Sequence, residues 1–444
     1  MRVSPLVPAL ISSLFLLGAC GGAPSSAPLA PAQPPVDEPD TSKYDVTITR
    51  TALGIPHING RDFASLGYGY GYAHAEDNLC ILLDDLLTNR GERSRYFGPD
   101  GTHVIFPNGS TASNLDSDFF WKAIASDAAI KPLKANTEEG ARQITAGFVD
   151  GLNRYLAELK AGQHPGRHAS CRDAPWALPI TEDDMYRRYY RLVLLASSSV
   201  FVSGIAQAQP PLPGEEPEQA SAEAISAALA EDAGPFRFFT EPQLGSNMYA
   251  IGKDASATGI PLVFGNPHFP WRGPERLYVS HLTVPGQMDI MGSSLYGVPL
   301  VLIGFNEHLA WSHTVSTAYR FGLYELTLAP DDPTAYIYEG QVRRMEAQPI
   351  SVEVLNAEGQ LETATRTLYR SHYGPMISLV VSGVNILPWS TSKAYSIRDA
   401  NAENDRLISH FFRWNTADSF ETFKQIQAET VAVPWVNTIG SGPT

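Results

Sequence analysis

Ser390 and Lys393 have the spacing of the S-x-x-K motif, in which a serine nucleophile carries out acyl transfer. The companion motifs of that chemistry, S-D-N and K-T-G, do not occur in the sequence, and neither do G-x-S-x-G and H-E-x-x-H. So short a pattern often arises by chance. Ser390 is therefore a weak candidate for a nucleophile.

His164, His168 and Cys171 are close in the sequence and carry side chains that bind transition metals. Pro165 and Gly166 prevent the two histidines from sharing one face of a helix, and no second cluster in the sequence completes four ligands. We therefore expect no metal and no cofactor.

Hydrophobic periodicity predicts the elements that position any such site. Apolar residues recur at three- and four-residue steps over 62–95, which predicts a helix, and further helices fit 136–161, 182–203 and 417–428. Residues 46–49 alternate as a strand does. After Gly245-Ser246, short apolar runs between Gly, Pro and Asn predict strands at 248–252, 260–264, 277–284, 299–304, 309–315, 322–328, 335–338, 343–355 and 361–369. A helical first half and a sheet-rich second half indicate an α/β (α+β) or layered fold.

The stretch that separates these halves is rich in proline and acidic residues. It has no Lys or Arg between 208 and 236, and 219–231 fits a polar helix. A solvated acidic linker and a removable spacer both account for this composition.

The first 20 residues resemble an export signal. Arg2 gives a positive start, and the apolar stretch from Leu6 to Leu17 is too short to span a bilayer. Because the stretch ends in a lipobox-like sequence, we expect lipidation of Cys20, with ordinary signal cleavage as the alternative. Residues 21–43 are rich in Pro, Ala and Ser and predict a tether. The expected location is the bacterial cell envelope, either the periplasm or the outer membrane as a lipoprotein with a lipid anchor.

Composition narrows the classes of function. The 444-residue chain is 43% hydrophobic and 18% charged, which is enough for a sizeable core. A net charge of -15 without any basic run argues against a nucleic-acid partner. If Cys20 is lipidated, Cys80 and Cys171 remain, and both a disulfide and two unpaired buried thiols are compatible with the sequence.

Five blocks of the sequence resemble the penicillin acylase family of N-terminal nucleophile hydrolases, and they occur in the family's order. The blocks cover 54–58, 69–78, 245–252, 265–269 and 303–315. The run 266–315 is most similar to the branch that deacylates acyl-homoserine lactones and pyoverdine precursors. The resemblance extends over about 44–205 and 246–437 and implies a layered αββα fold.

The resemblance also implies roles for individual residues. The precursor is expected to cut itself between Gly245 and Ser246, so that the freed α-amine of Ser246, with a pKa of about 8, serves as the base for its own hydroxyl. His268 matches the histidine that orients this amine and its water. Val315 matches the residue whose backbone N–H forms half of the oxyanion hole. Phe269 matches an aromatic residue of the acyl pocket, and Trp271, Met288 and Leu295 are further candidates for its wall.

Two features depart from the family. The second oxyanion donor, an asparagine followed by a functional arginine, is expected well beyond the block 434–438, whereas the sequence ends at Thr444. We therefore expect the C-terminal part of the second chain to be absent. Penicillin G acylases hold calcium partly through acidic residues just after the Val315 block, and here that stretch is Ala318-Tyr319-Arg320-Phe321. No calcium is expected.

The expected organisation is a signal at 1–20, a tether at 21–43, a first chain at 44–205, a spacer at 206–245 and a second chain at 246–444. The two chains are expected to stay together as a heterodimer that hydrolyses a small N-acyl substrate, such as an acyl-homoserine lactone or an acylated peptide precursor. A β-lactam side-chain acylase and an inactive, truncated envelope lipoprotein are the alternatives.

Overall fold

The computed structural model describes residues 43–105, 110–215, 217, 220–232 and 245–443. The predicted signal, Cys20 and the tether up to residue 42 lie outside the described residues. So do 233–244 of the predicted spacer.

The helices are concentrated in the predicted first chain. Asp62 caps the helical segment Phe63–Arg90, because its side chain accepts a hydrogen bond from the Ser65 N–H. The segment is kinked at Asn78, and Gly91 ends it in the left-handed region with φ 66°. The helices are Phe63–Arg90, Arg93–Phe97, Asn114–Ile124, Asp127–Asn136, Glu139–Lys160, Glu182–Leu194, Val202–Ala206, Ala222–Glu231, Leu407–Asn415 and Phe420–Thr430, with a 3-10 turn at Ser198–Phe201.

Strands dominate from Ser246 onward. In chain order they are β1 Val46–Arg50, β2 Pro56–Gly60, β3 Thr102–Val104, β4 Thr111–Ser113, β5 Ser246–Ile251, β6 Leu262–Pro267, β7 Leu277–Val284, β8 Met288–Leu295, β9 Ile303–Phe305, β10 Ala310–Val315, β11 Phe321–Ala329, β12 Asp332–Tyr338, β13 Gln341–Arg344, β14 Glu346–Leu355, β15 Leu361–Arg370, β16 Met376–Ile377, β17 Leu379–Val381, β18 Val384–Leu387, β19 Lys393–Asp399 and β20 Val436–Ser441. The predicted α/β fold with a helical first-chain region is confirmed.

A seven-stranded sheet in the order β1-β2-β7-β8-β9-β10-β20 forms the centre of the fold. The register places Ser280 and Trp311 on one face, so Ser312 lies on the other. Ser280 donates to the hydroxyl of Tyr70 on the first helix at 2.9 Å. A Cβ added at Gly265 in β6 would lie 2.6 Å from the Ser312 Oγ. The β5–β6 hairpin therefore packs on the face of the seven-stranded sheet that carries Ser312. In the described residues the layers therefore run helix, sheet, sheet.

Glycines allow the two longest helices to pack closely. A Cβ on Gly67 would lie 2.1 Å from the Ile144 carbonyl oxygen, and one on Gly151 would lie 1.9 Å from that of Tyr68. Helix 63–90 consequently packs along helix 139–160, and both bury their apolar side chains in one core.

Cys80 and Cys171 form a disulfide, with 5.5 Å between their Cα atoms. The bond ties helix 63–90 to the loop that follows helix 139–160. Of the two possibilities that the sequence allowed, the structure contains the disulfide.

One predicted helix and one predicted strand need correction. The strand predicted over 343–355 divides at Met345 into β13 and β14, which pair with β12 and β15. The helix predicted over 182–203 ends at Leu194 and turns through Ser198–Phe201 before resuming at Val202. In the described ranges no single helix is long and apolar enough to cross a membrane. The pair Glu182–Leu194 and Ser198–Ala206 is long and apolar enough when taken together, but its two helices are bent by 94° relative to each other. Most side chains of this pair are buried in the protein core.

Candidate functional site

The β5–β6 hairpin places Gly245, Ser246 and His268 next to one another. Ser246 begins β5 and pairs with Pro267, the last residue of β6, so His268 follows beside it. The backbone N–H of His268 lies 3.2 Å from the Ser246 Oγ and 3.2 Å from the Gly245 carbonyl oxygen. One donor is thus shared between the serine hydroxyl and the carbonyl of the preceding residue.

Two asparagines hold the imidazole of His268. The Nδ2 of Asn266 lies 3.1 Å from the His268 Nε2, and the Nδ2 of Asn247 lies 3.4 Å from it. Because an amide nitrogen can only donate, Nε2 accepts, and the proton of a neutral ring resides on Nδ1. Nδ1 faces Gly245, where an added Cβ would lie 3.8 Å away. Sequence reasoning assigned no role to Asn247 or Asn266, although both lie in the blocks that carried the resemblance.

Val315 ends β10 at the same site. The next residue, Ser316, donates its N–H to the carbonyl of Trp435 at 3.0 Å. Since N–H groups alternate along an antiparallel strand, the N–H of Val315 points away from the strand that begins at Val436. Val315 and Ser246 line one cavity.

An apolar cavity opens beside Ser246. The space that its walls enclose measures about 70 Å³. The lining residues are Leu192, Ser246, Pro267, Phe269, Leu277, Leu295, Val298, Leu302, Ile303, His313, Thr314, Val315, Leu407, Ile408, Phe411, Pro434, Trp435 and Val436. The lining suits an apolar ligand group.

Of the four side chains predicted at an acyl pocket, the structure brings two to this cavity. Phe269 and Leu295 line it, and Phe269 stacks on Trp435 with ring centroids 6.0 Å apart. Trp271 is 92% exposed to solvent and does not line it. Met288 begins the strand that Leu295 ends, and eight residues of strand span roughly 25 Å, so it lines a different depression.

His313 belongs to the cavity wall and carries no charge at neutral pH. Burial lowers the pKa of this imidazole to about 4. Its Nδ1 lies 3.0 Å from the Thr438 hydroxyl, and its ring stacks on Trp414. A neutral wall of this kind favours hydrocarbon over charged groups.

The penicillin amidase family model matches residues 45–441. The chain belongs to the penicillin amidase family. It is 40% identical over 402 residues to the acyl-homoserine lactone acylase PvdQ of Pseudomonas putida, with 90% of this chain and 50% of that protein covered. It is 36% identical over 407 residues to the aculeacin-A acylase of Actinoplanes utahensis, with 90% and 48% covered. The chain thus spans about half the length of the curated relatives that it matches.

The solved structure of thermostable penicillin G acylase from Alcaligenes faecalis in orthorhombic form aligns at 19% identity with a TM-score of 0.37. That alignment covers 44% of this chain and 33% of the other. A TM-score this low adds nothing to the description of the fold.

The S-x-x-K candidate of this penicillin amidase family member lacks the geometry of a nucleophile. The Lys393 Nζ pairs with Glu325 at 2.8 Å, and the hydrogen bond to this carboxylate raises the pKa of the lysine. The Ser390 hydroxyl contacts the backbone carbonyl of Lys393 instead. Lys393 therefore stays charged and cannot act as a base.

The sequence cluster of His164, His168 and Cys171 has other partners. Cys171 is in the disulfide, His164 Nε2 lies 3.0 Å from Glu158, and His168 Nε2 lies 3.2 Å from the Tyr155 hydroxyl. The three side chains do not form a metal site.

In this member of the penicillin amidase family, the stretch after Val315 is also unsuited to calcium. Arg320 is buried there, and its guanidinium donates to the carbonyl oxygens of Ser316 and of Ala196, the latter at 3.3 Å. The Arg320 guanidinium already donates to these backbone oxygens, and its positive charge would repel a divalent cation.

Proposed function

We propose that the protein is an exported N-acyl amide hydrolase that first cuts its own chain between Gly245 and Ser246. The observation that carries this proposal is the His268 N–H, which lies 3.2 Å from both the Gly245 carbonyl oxygen and the Ser246 Oγ. The attacking hydroxyl and the attacked carbonyl would thus share one donor.

In the self-cleavage step, the Ser246 Oγ attacks the Gly245 carbonyl carbon. The His268 N–H is placed to stabilise the negative charge that develops on the carbonyl oxygen. The C–N bond breaks, the Ser246 nitrogen takes a proton, and an ester forms between Gly245 and the serine oxygen. Water then hydrolyses the ester, which leaves a free α-amine on Ser246 and a carboxylate on Gly245.

Cleavage at Gly245–Ser246 would leave a second chain at 246–444 and a first chain whose folded part is 44–205, and a separate hydrolysis of a peptide bond would remove the spacer at 206–245. A shared hydrophobic core would hold the two chains together, since Phe148 of the first and Leu282 of the second are buried in one cluster. The spacer boundaries rest on the resemblance. The helix Ala222–Glu231 within the spacer buries Ala228, so its release would require this helix to detach.

In turnover, the α-amine of Ser246 accepts the proton of its hydroxyl as the oxygen attacks the amide carbon of the substrate. The Val315 N–H would donate to the resulting oxyanion. The C–N bond breaks, the departing amine takes the proton, and an acyl-enzyme remains. Water then releases the carboxylic acid and restores Ser246. The imidazole of His268, fixed by Asn247 and Asn266, would orient the amine and the water.

The cavity supports a fatty acyl group. Its walls are apolar, and neutral His313 brings no charge at pH 7. Substrates such as an acyl-homoserine lactone or an acylated peptide suit such a cavity, in line with the activities for which the PvdQ and aculeacin-A relatives are named. The Cys80–Cys171 disulfide supports export to an oxidising compartment. Attachment to the envelope through Cys20 belongs to the same proposal.

A panel of acyl amides tests this function. Purified protein and its Ser246→Ala variant are incubated with hexanoyl, decanoyl, dodecanoyl and phenylacetyl amides of homoserine lactone and of p-nitroaniline, and the freed acid is measured. We expect release of the long-chain acids by the wild type alone. Faster release of phenylacetic acid would favour a β-lactam side-chain acylase. Release from no amide, by a protein whose second chain starts at Ser246, would reject the proposal.

A further inference from the structure

Arg188, on the first-chain helix Glu182–Leu194, is fully buried behind the apolar cavity. Its Nε donates to the carbonyl oxygen of Tyr296 at 3.1 Å, and its Nη2 donates to that of Pro274 at 3.1 Å. Leu192, one helical turn further on, lines the cavity itself. The same helix thus contributes Leu192 to the cavity wall and, through Arg188, binds the backbone carbonyls of Tyr296 and Pro274.

Both carbonyls belong to segments that carry the cavity wall. Pro274 lies in the connection from Phe269 to Leu277, and both of those side chains line the cavity. Tyr296 follows Leu295 and precedes Val298, which also line it. A single guanidinium therefore joins two wall segments that are adjacent in space and separate in sequence.

The turn at Tyr296 also packs closely against residues of the first chain. Gly297 has φ 75°, and a Cβ there would lie 2.8 Å from Leu82 Cδ1 and 3.6 Å from the Arg188 Cγ. Asn78 donates from Nδ2 to the Tyr296 hydroxyl at 2.6 Å. The wall turn has little freedom to move while these contacts persist.

The buried charges around Arg188 balance. Arg188 pairs with Asp85 at 3.2 Å, and Arg191 pairs with Asp85 and, at 3.0 Å, with Glu275. Burial alone would lower the pKa of Arg191, but the carboxylates of Asp85 and Glu275 raise it. A buried ion network of this kind is weak support for stability, because apolar side chains of the same volume often do as well. The Arg188 guanidinium donates to two backbone carbonyls of the cavity wall, and this geometry points to a positioning role.

We propose that Arg188 is a positioning residue that sets the shape of the acyl pocket and thereby the length of acyl chain that the enzyme accepts. This inference rests on the proposed function of the Ser246 site. Arg188 touches neither the reacting atoms nor the acyl chain, and it acts through the backbone at Pro274 and Tyr296. An arginine is needed because its planar fork donates to both carbonyls in fixed directions while its charge lies beside Asp85, whereas a lysine ammonium on a flexible stem cannot keep both carbonyls in place.

Arg188→Lys tests the proposal, with Arg191→Lys as the matched control. Both changes keep the buried charge balanced, but only Arg188 donates to the wall carbonyls. For a series of p-nitroanilides from butanoyl to dodecanoyl, we expect Arg188→Lys to raise KM for the longest chains about tenfold and that for butanoyl less than about twofold, with kcat nearly constant. Arg191→Lys is expected to lower the melting temperature without changing the length profile.

Two further measurements keep the test decisive. If Arg188→Lys does not fold, the charge-balanced double variant Asp85→Asn with Arg188→Met replaces it. Calorimetric binding of dodecanoate, which is a reaction product, to the processed protein reads the pocket without hydrolysis. If the wild type hydrolyses no amide yet binds dodecanoate, the proposed function fails, while a weaker affinity in the Arg188 variant still supports the positioning role. An unchanged dodecanoate affinity, an equal KM change at all chain lengths, or the same shift in Arg191→Lys would overturn it.

Discussion

The backbone amide of His268 lies within hydrogen-bonding distance of the Ser246 hydroxyl, at 3.2 Å. The imidazole of the same residue is held by Asn266, whose Nδ2 lies 3.1 Å from its Nε2. The backbone and the side chain of His268 therefore serve different parts of the proposed chemistry, and substitution can separate them.

We expect His268→Ala to impair turnover more than self-cleavage. The variant keeps the backbone N–H that faces the Gly245 carbonyl, so the chain should still be cut. Loss of the imidazole, which would orient the amine and water, should reduce kcat by about 10². Intact mass reports cleavage, and the rate of acid release reports turnover.

His308→Ala is the control for this prediction, since the His308 side chain is partly exposed, at 41%, and pairs with Glu307 at 3.1 Å. It should cleave and turn over like the wild type. A His268→Ala protein that stays uncut would show that the side chain is needed for the first step, contrary to the account.

Phe269→Ala should weaken binding of long acyl groups, because it removes an aromatic wall of the cavity. We expect KM for a dodecanoyl amide to rise about 10- to 100-fold, corresponding to about 1.5–3 kcal/mol of lost burial. Trp271→Ala is the matched control, since its side chain is 92% exposed outside the cavity. If Trp271→Ala raises KM as much as Phe269→Ala does, the acyl group binds elsewhere.

Acid should destabilise the fold through buried histidines, of which His74 is one. Burial lowers the pKa of His74 to about 4, against 6.5 for a free imidazole. Between these values the unfolded chain binds a proton that the folded chain does not, so the free energy of unfolding falls as the pH drops from 6.5 to 4. The contribution of His74 reaches about 3 kcal/mol at pH 4.

Urea unfolding of the wild type and of His74→Phe, at several pH values, measures this contribution. The variant should lose less stability than the wild type between pH 6.5 and 4, whatever its stability at neutral pH. Parallel curves for the two proteins would mean that His74 titrates normally in the folded state.

The disulfide should stabilise the fold considerably. Because it closes a loop of 91 residues, the double change Cys80→Ser with Cys171→Ser is expected to lower the free energy of unfolding by about 2–5 kcal/mol. The midpoint of denaturant unfolding measures the loss, and reduction of the wild type with a thiol should reproduce it. An unchanged midpoint after both treatments would contradict the pairing.

Long periodic elements and the site-bearing hairpin could be predicted from the sequence, whereas polar-faced elements could not. The helix Phe63–Arg90 buries apolar residues at helical spacing, which the sequence displays. The helix Asn114–Ile124 was not predicted, because it buries Asn114, Asp116 and Asp118 beside its aromatic residues and the charged side chains interrupt the apolar pattern. Asp118 accepts from the backbone N–H of Arg93 at 2.9 Å, a contact that only the tertiary fold creates.

The site was predictable where short motifs fix neighbours and unpredictable where distant segments meet. Ser246 and His268 are brought together by one hairpin whose two strands flank a turn. Phe411 and Trp435 join the cavity from elements far along the chain, and local pattern gives no sign of this. Trp271 is only two residues from Phe269, yet it points to solvent, because proximity in sequence does not fix the direction of a loop side chain.

The most direct test of the account is the N-terminus of the second chain. The protein is expressed with its Ser246→Ala counterpart, and both are analysed by intact mass and N-terminal sequencing. The account predicts a fragment that begins Ser246-Asn247-Met248 in the wild type and an uncut chain in the variant. A wild-type protein that stays folded and whole, or a cut at this bond that persists in Ser246→Ala, would contradict it.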